Sequence, residues 1–226
     1  MMGRRLSCVP DPMRRAVPLL ACMILAAPGR ADDLRTVFFA GLDSGHSLHG
    51  HAGFKHALDG SLNASGFVAL AVAGASGPRP DKGRHAGAAL LAGYQWALPR
   101  WHVTLLAGPD LERDGRVRLG VRLQGEVWAR PTDDTLLTLT AIAASGRPQG
   151  YARASAGYRL WGEVHAGPEV SYKTEPGWRE ARVGAHVTGF AFAGVTWRVS
   201  AGRSLPGTGR AGTYAGLSGW VRLGGD

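Results

Sequence analysis

In RVRLGVRLQGEVWAR, residues 116–130, Arg116, Arg118 and Arg122 alternate strictly with Val117, Leu119, Val121 and Leu123. A period of two sends alternate side chains to opposite faces of a strand. Other segments repeat it. Ala152, Ala154, Ala156, Tyr158 and Leu160 alternate with Arg153, Ser155, Gly157 and Arg159. Ala181, Val183, Ala185 and Val187 alternate with Glu180, Arg182, Gly184, His186 and Thr188, and Val195, Trp197 and Val199 with Thr196, Arg198 and Ser200. Turn signals cut the chain into twelve such stretches: 36–42, 46–57, 65–75, 86–98, 101–110, 116–130, 134–145, 150–161, 163–173, 178–189, 192–202 and 211–223. Few windows carry a helical period, and Gly and β-branched residues interrupt those that do.

Two architectures use this alternation. In a soluble sandwich the aliphatic face meets a core and the charged face meets water. In a transmembrane barrel the aliphatic face meets lipid and the arginines face an enclosed lumen. Length favours the barrel: globular strands run to about 5–6 residues, whereas membrane strands need about 9–11. Tyr94, Trp96, Trp101, Trp128, Tyr158 and Trp178 lie near segment ends, where interfacial girdles belong. Connections add a parity. With the first strand starting in the periplasm, turns after even strands should be short: Pro99-Arg100, Trp161-Gly162 and a turn near Phe190–Ala191. The odd set holds 76–85, 111–115 and 204–210, while Asp43–Gly45 and Asp59–Ala64 blur the rule. The expected fold is an all-β, antiparallel up-and-down transmembrane barrel of about twelve strands, closed because hydrocarbon tolerates no unpaired sheet edge. The last stretch, TYAGLSGWVRL, ends in Gly224-Gly225-Asp226 and lacks the terminal aromatic common in such barrels.

Residues 1–31 read as a signal peptide. Arg14 and Arg15 precede the apolar run 16–27, and Gly29-Arg30-Ala31 offers a cleavage site before Asp32. Leu19-Leu20-Ala21-Cys22 also resembles a lipoprotein box, but too few apolar residues precede it; Met13 is a candidate start. Residues 32–226 then form one domain, exported to the bacterial outer membrane. Cys8 and Cys22 both fall in the signal, so the mature chain has neither disulfide nor thiolate chemistry. The formal charge is +9 over the whole chain; the signal carries five arginines and one aspartate, leaving +5. Arginines supply 23 of the 26 basic residues, and they are spread along strands rather than clustered, which disfavours nucleic acid as a partner.

Inward parity collects the candidate site: Arg118, Arg122, Glu126, Trp128, Arg153, Arg159, Glu169, Arg182, Arg198 and Arg222 line the lumen, with Glu180, Trp220 and Trp161 beside them. Two readings compete, a salt-bridge network that plugs the barrel and a cationic or sugar-contacting passage. His46, His49, His51 and His56 crowd one hairpin arm, where polar wall residues are a stronger reading than a metal site. His165, Glu169 and Ser171 carry hydrolase residue types on one face of one strand. Such neighbours seldom converge on a common reacting atom, so no catalytic set is expected. Neither metal nor cofactor is expected.

FFAGLDSGHSLHGHAGFKHALDGSLNASGF (38–67), LLAGYQW (90–96), GYRLWGEVHAGPEVSY (157–172) and RVGAHVTGF (182–190) together resemble the BcsS-type cellulose biosynthesis proteins. Gly167-Pro168-Glu169-Val170-Ser171 is the most specific stretch. VAGASGPRP (72–80) departs from the tyrosine-rich stretch usual in the family. The resemblance implies a non-enzymatic outer-membrane barrel in cellulose production or export, with the glucan chain, the secretion machinery and outer-membrane lipid as partners. It brings no catalytic residues. Two other functions fit the pattern: a porin-like channel for small anionic solutes, and a barrel hydrolase.

Overall fold

The computed structural model describes residues 34–77 and 84–224. The expected signal segment, 1–31, lies outside the described residues. Every expected segment forms a strand, in the expected order: β1 (Leu34–Ser44), β2 (His49–Ala57), β3 (Gly66–Ser76), β4 (His85–Leu98), β5 (Trp101–Arg113), β6 (Val117–Ala129), β7 (Thr135–Ala144), β8 (Gln149–Trp161), β9 (Val164–Glu175), β10 (Trp178–Phe192), β11 (Val195–Pro206) and β12 (Gly212–Gly224). Each strand pairs antiparallel with its sequence neighbours, and β1 pairs with β12 from Leu34↔Gly224 to Ser44↔Ala215, which closes the barrel. Both ends of the described chain therefore lie at one rim, the terminal rim; the opposite rim is the far rim.

Most of the fully described connections are short at both rims, and among them the expected parity is weaker than the sequence suggested. The stretch 111–115 is mostly strand, since β5 runs on to Arg113, and β9 and β10 are joined at the far rim by Pro176-Gly177 alone. Proline fixes φ for the first central position of that turn, and Gly177 takes φ of 73° at the second. The break expected near Phe190–Ala191 falls instead at Ala193-Gly194, where φ is 53° and 75°, as a type I′ hairpin requires. A bulge at Gly189 shifts the β10–β11 register between Thr188 and Phe190 and carries the strand past the expected end. The longest even connection, 58–65, is at the terminal rim, and its length has a structural use described below.

The alternation is resolved in three dimensions. Leu119 is 76% exposed, and Val117, Val121 and Leu123 share its outward face, while Gln124 on the opposite face is buried. Leu90, Leu105, Val183 and Val199 continue this apolar belt around the barrel. Such a surface suits hydrocarbon, where closure satisfies every ladder hydrogen bond internally. Towards the terminal rim the outer face turns aromatic. Phe67 meets Tyr94 at 5.2 Å between ring centroids, Tyr94 meets Trp96 at 5.1 Å, and Trp101, Tyr158 and Phe192 are exposed at strand ends.

Candidate functional site

Inward residues of the wall are not uniformly polar. On β3, β4 and β5 the inward positions include the apolar Val68, Leu70, Ala89, Leu91 and Leu106, all buried. Ala57 of β2 joins them, as does Leu62 from the connection 58–65. That connection turns into the barrel at the terminal rim. Leu62 N–H donates to the Leu34 carbonyl at 2.7 Å, and the buried Gln95 side chain donates to the carbonyls of Leu62 at 2.7 Å and Ala64 at 3.2 Å. A polar ladder continues from this anchor. Thr104 donates to Gln95 at 3.3 Å, Lys55 donates to Thr104 at 2.9 Å and to Glu126 at 3.1 Å, Gln124 donates to Glu126 at 2.7 Å, and Arg122 donates to Gln124 at 2.9 Å. Four strands, β2, β4, β5 and β6, are thus tied together by side chains reaching across the interior. Near the same rim Trp128 of β6 and Trp220 of β12 meet edge to face, 6.4 Å apart. Five strands lie between β6 and β12 in either direction, so this contact spans the lumen.

The opposite wall is ionic. Arg198 on β11 pairs with Glu169 on β9, both buried, and Tyr214 on β12 donates to Glu169 at 3.5 Å. Towards the far rim Arg182 lies 3.2 Å from Glu180 and 3.6 Å from Asp43, with its guanidinium over the Tyr214 ring. A second far-rim network crosses from β4 to β9: His85 meets Glu112 at 2.6 Å, Gln149 donates to Glu112 at 2.6 Å, and Arg147 pairs with Glu175 at 2.8 Å and reaches Asp114 at 3.8 Å. Lys173 adds a 3.0 Å pair to Glu175.

This closed barrel can be set beside known proteins. The family model described as "Cellulose biosynthesis protein BcsS" matches residues 37–223. The chain belongs to the BcsS family. No curated protein matches it in sequence. Among solved structures, the KdgM porin in complex with disordered oligogalacturonate shares the fold at a TM-score of 0.55 and 12% identity, covering 82% of this chain and 98% of that one. A second KdgM porin structure gives 0.53 at 12% identity, with the same coverage. At such identity the likeness establishes architecture alone.

In this BcsS-family barrel the sequence-selected residues fall into several groups. Arg122 and Glu126 belong to the ladder on Lys55, Trp128 to the cross-lumen ring contact, and Glu169, Arg182 and Arg198 to the ionic wall. Arg153 is half-buried and within electrostatic range of Glu169, Asp43 and Arg198. Arg118 pairs with Asp114 at 3.5 Å near the far rim. Arg159 stands at the terminal rim, donating to the Asp133 carbonyl and 3.8 Å from Asp134. Arg222 is exposed beyond Trp220, and Trp161 is 65% exposed at the end of β8, so these two sit at the mouth and not deep in the interior.

The histidines separate. His49 and His51 stack at 5.8 Å, His56 turns to the outer face to meet Thr36, and His46 reaches Glu180. Among the described residues no three metal-ligating side chains converge. His165 spends Nδ1 on the Glu163 carbonyl at 2.9 Å, while Glu169 is held by Arg198, so neither serves Ser171. A second Ser–His–acid trio exists: Ser204 and Glu180 lie 3.1 Å and 3.3 Å from His46, but both contact Nδ1. A proton relay needs the acid and the hydroxyl on different ring nitrogens. Lys55, Gln95, Thr104 and Leu62 were not singled out from the sequence. The one signal for them is a second apolar face on residues 68–72 and 89–91, which a solvated lumen does not need.

Proposed function

We propose that the protein is a non-enzymatic outer-membrane barrel serving bacterial cellulose production or export, with both rims presented to the secretion machinery and the glucan. The family match over residues 37–223 carries the link to cellulose. The packed interior favours a scaffold or guide over a wide, permanently open pore, because the 58–65 connection and the Lys55 ladder occupy one side of the lumen. On this reading Arg118, Arg122, Glu126, Trp128, Arg153, Arg159, Glu169, Arg182, Arg198 and Arg222 form the polar wall and mouths, the termini lie in the periplasm, and residues 1–31 are a cleaved signal, so the mature chain begins at Asp32. Deleting the gene should lower cellulose output, and full-length protein but not empty membrane should restore it. Unchanged output after deletion would overturn the reading.

A porin-like channel for small anionic solutes is the second reading. Arg122, Arg153 and Arg198 on the inner wall favour it, as does the shared architecture with a porin whose structure contains an acidic oligosaccharide. Planar-bilayer recordings separate the two. Anion-selective current that cello-oligosaccharides leave unblocked supports the channel; a barrel silent until loop 58–65 is released supports the scaffold.

A further inference from the structure

The outer face of this barrel differs between its two rims. Aromatics cluster towards the terminal rim, but at the far rim exposed arginines stand on the outward face: Arg113 on β5, Arg179 on β10 and Arg203 on β11, with Arg116 and Arg210 in adjoining turns. Two exposed arginines in terminal-rim turns have carboxylate partners, Arg100 with Asp133 and Arg130 with Glu163. Among the described residues Arg113, Arg179 and Arg203 have none. The acids available nearby are spent inward: Asp43 and Glu180 on Arg182, Glu112 on His85, Asp114 on Arg118 and Arg147, and Glu175 on Arg147 and Lys173.

Arg203 is the telling case. It stands six residues along β11 from Trp197, whose ring covers Gly219 on the outer face near the terminal rim. Six residues on a strand tilted by about 40° amount to roughly 15 Å of height. An arginine facing lipid at that level is costly unless its head reaches the interface and meets an anion. Directly beneath it lies an apolar groove of about 680 Å³. The floor is a row of register-matched alanines, Ala185↔Ala201↔Ala215, and the adjoining ridge is Val199 and Leu217 with Leu42. Small residues in one row beside large ones in the next leave an apolar furrow, with Arg203 two residues along β11 from its Ala201.

We propose that this face docks a phosphorylated glycolipid of the outer leaflet, its acyl chain in the alanine groove and its phosphate on Arg203, with Arg179 contributing from the neighbouring strand. The site goes beyond the role in cellulose production and rests on the outer-membrane orientation argued above, not on any glucan contact. Arginine is suited to the task because its planar fork donates two hydrogen bonds to one phosphate and keeps its charge at all working pH values.

The test uses the full barrel in nanodiscs containing diphosphorylated lipid A or only zwitterionic phosphatidylcholine, with retained lipid counted by native mass spectrometry. Wild type should retain lipid A through exchange, and Arg179→Gln/Arg203→Gln should bind it about tenfold more weakly. Ala201→Phe, which keeps both arginines but fills the groove, should also lose the lipid. Arg100→Gln, at the other rim, should change nothing. Inorganic phosphate at millimolar concentration should not displace lipid A; displacement would mean that phosphate alone is recognised. Equal retention by wild type and the double arginine variant, or equal retention of phosphatidylcholine, overturns the proposal. Heat-modifiable gel mobility identifies any variant that has not folded, and for such a variant Arg203→Lys, which keeps the charge but loses the fork, replaces it with an expected intermediate affinity.

Discussion

Glu169→Gln is the most revealing perturbation of the interior. The carboxylate is 4% exposed and its partner Arg198 is 5% exposed, so water does little to screen the pair. Glutamine preserves shape and can still accept from Tyr214, but it deletes the charge shared by Arg198 and nearby Arg153. Removing one member of a buried pair strands the other and typically costs about 3–5 kcal/mol. Arg198→Met should cost less, because Glu169 then keeps Arg153 and Tyr214 as neighbours. The double variant Glu169→Gln/Arg198→Met should cost well under the sum of the singles, with a coupling of about 2 kcal/mol or more. Urea unfolding in lipid vesicles, followed by tryptophan fluorescence and gel mobility, measures all three. If Glu169→Gln costs under about 1 kcal/mol, or if the singles add, the pair is solvated and the interior is not the packed wall described here.

Other outcomes follow from separate parts of the barrel. Leu62→Ala combined with Gln95→Ala should release the 58–65 connection, raise single-channel conductance in planar bilayers and cost about 2–5 kcal/mol through the cavity it leaves. Gly157→Val should destabilise by about 1–3 kcal/mol, because a Cβ there already lies 3.0 Å from His165 Cβ and 3.3 Å from His186 Nε2. In the β8–β9 turn, the hydrogen bond and charge of Arg130 hold the Glu163 carboxyl below the usual carboxylate range. Its folded value is depressed, so its small stabilising contribution is present above the unfolded value and fades as pH falls through the folded one. Arg130→Ala should return the Glu163 titration, followed by NMR, to the ordinary range.

Strand number, order and facing were legible because a period of two is a local property. The leucines of 117–123 could be assigned to one side without knowing what lay across the barrel. Contacts across the lumen were not legible. That Trp128 meets Trp220 depends on closure and on the register of ten intervening strands. Leu62 was hidden differently, as one apolar residue inside the turn-like stretch GSLNASG, where composition alone reads as solvent-exposed loop. The bulge at Gly189 carried no signal beyond the glycine itself, and so the break expected near residue 190 moved to Ala193-Gly194.

The Trp128–Trp220 contact divides the cross-section near the terminal rim into two lobes. One is bounded by β1–β5 and is stoppered by Leu62 and the leucines of β3–β5. The other is bounded by β7–β11, where Thr138, Ser155 and Thr188 face inward. With the brace in place the two lobes differ in chemistry, the β1–β5 side apolar and the β7–β11 side carrying these hydroxyls beside the buried Arg198–Glu169 pair.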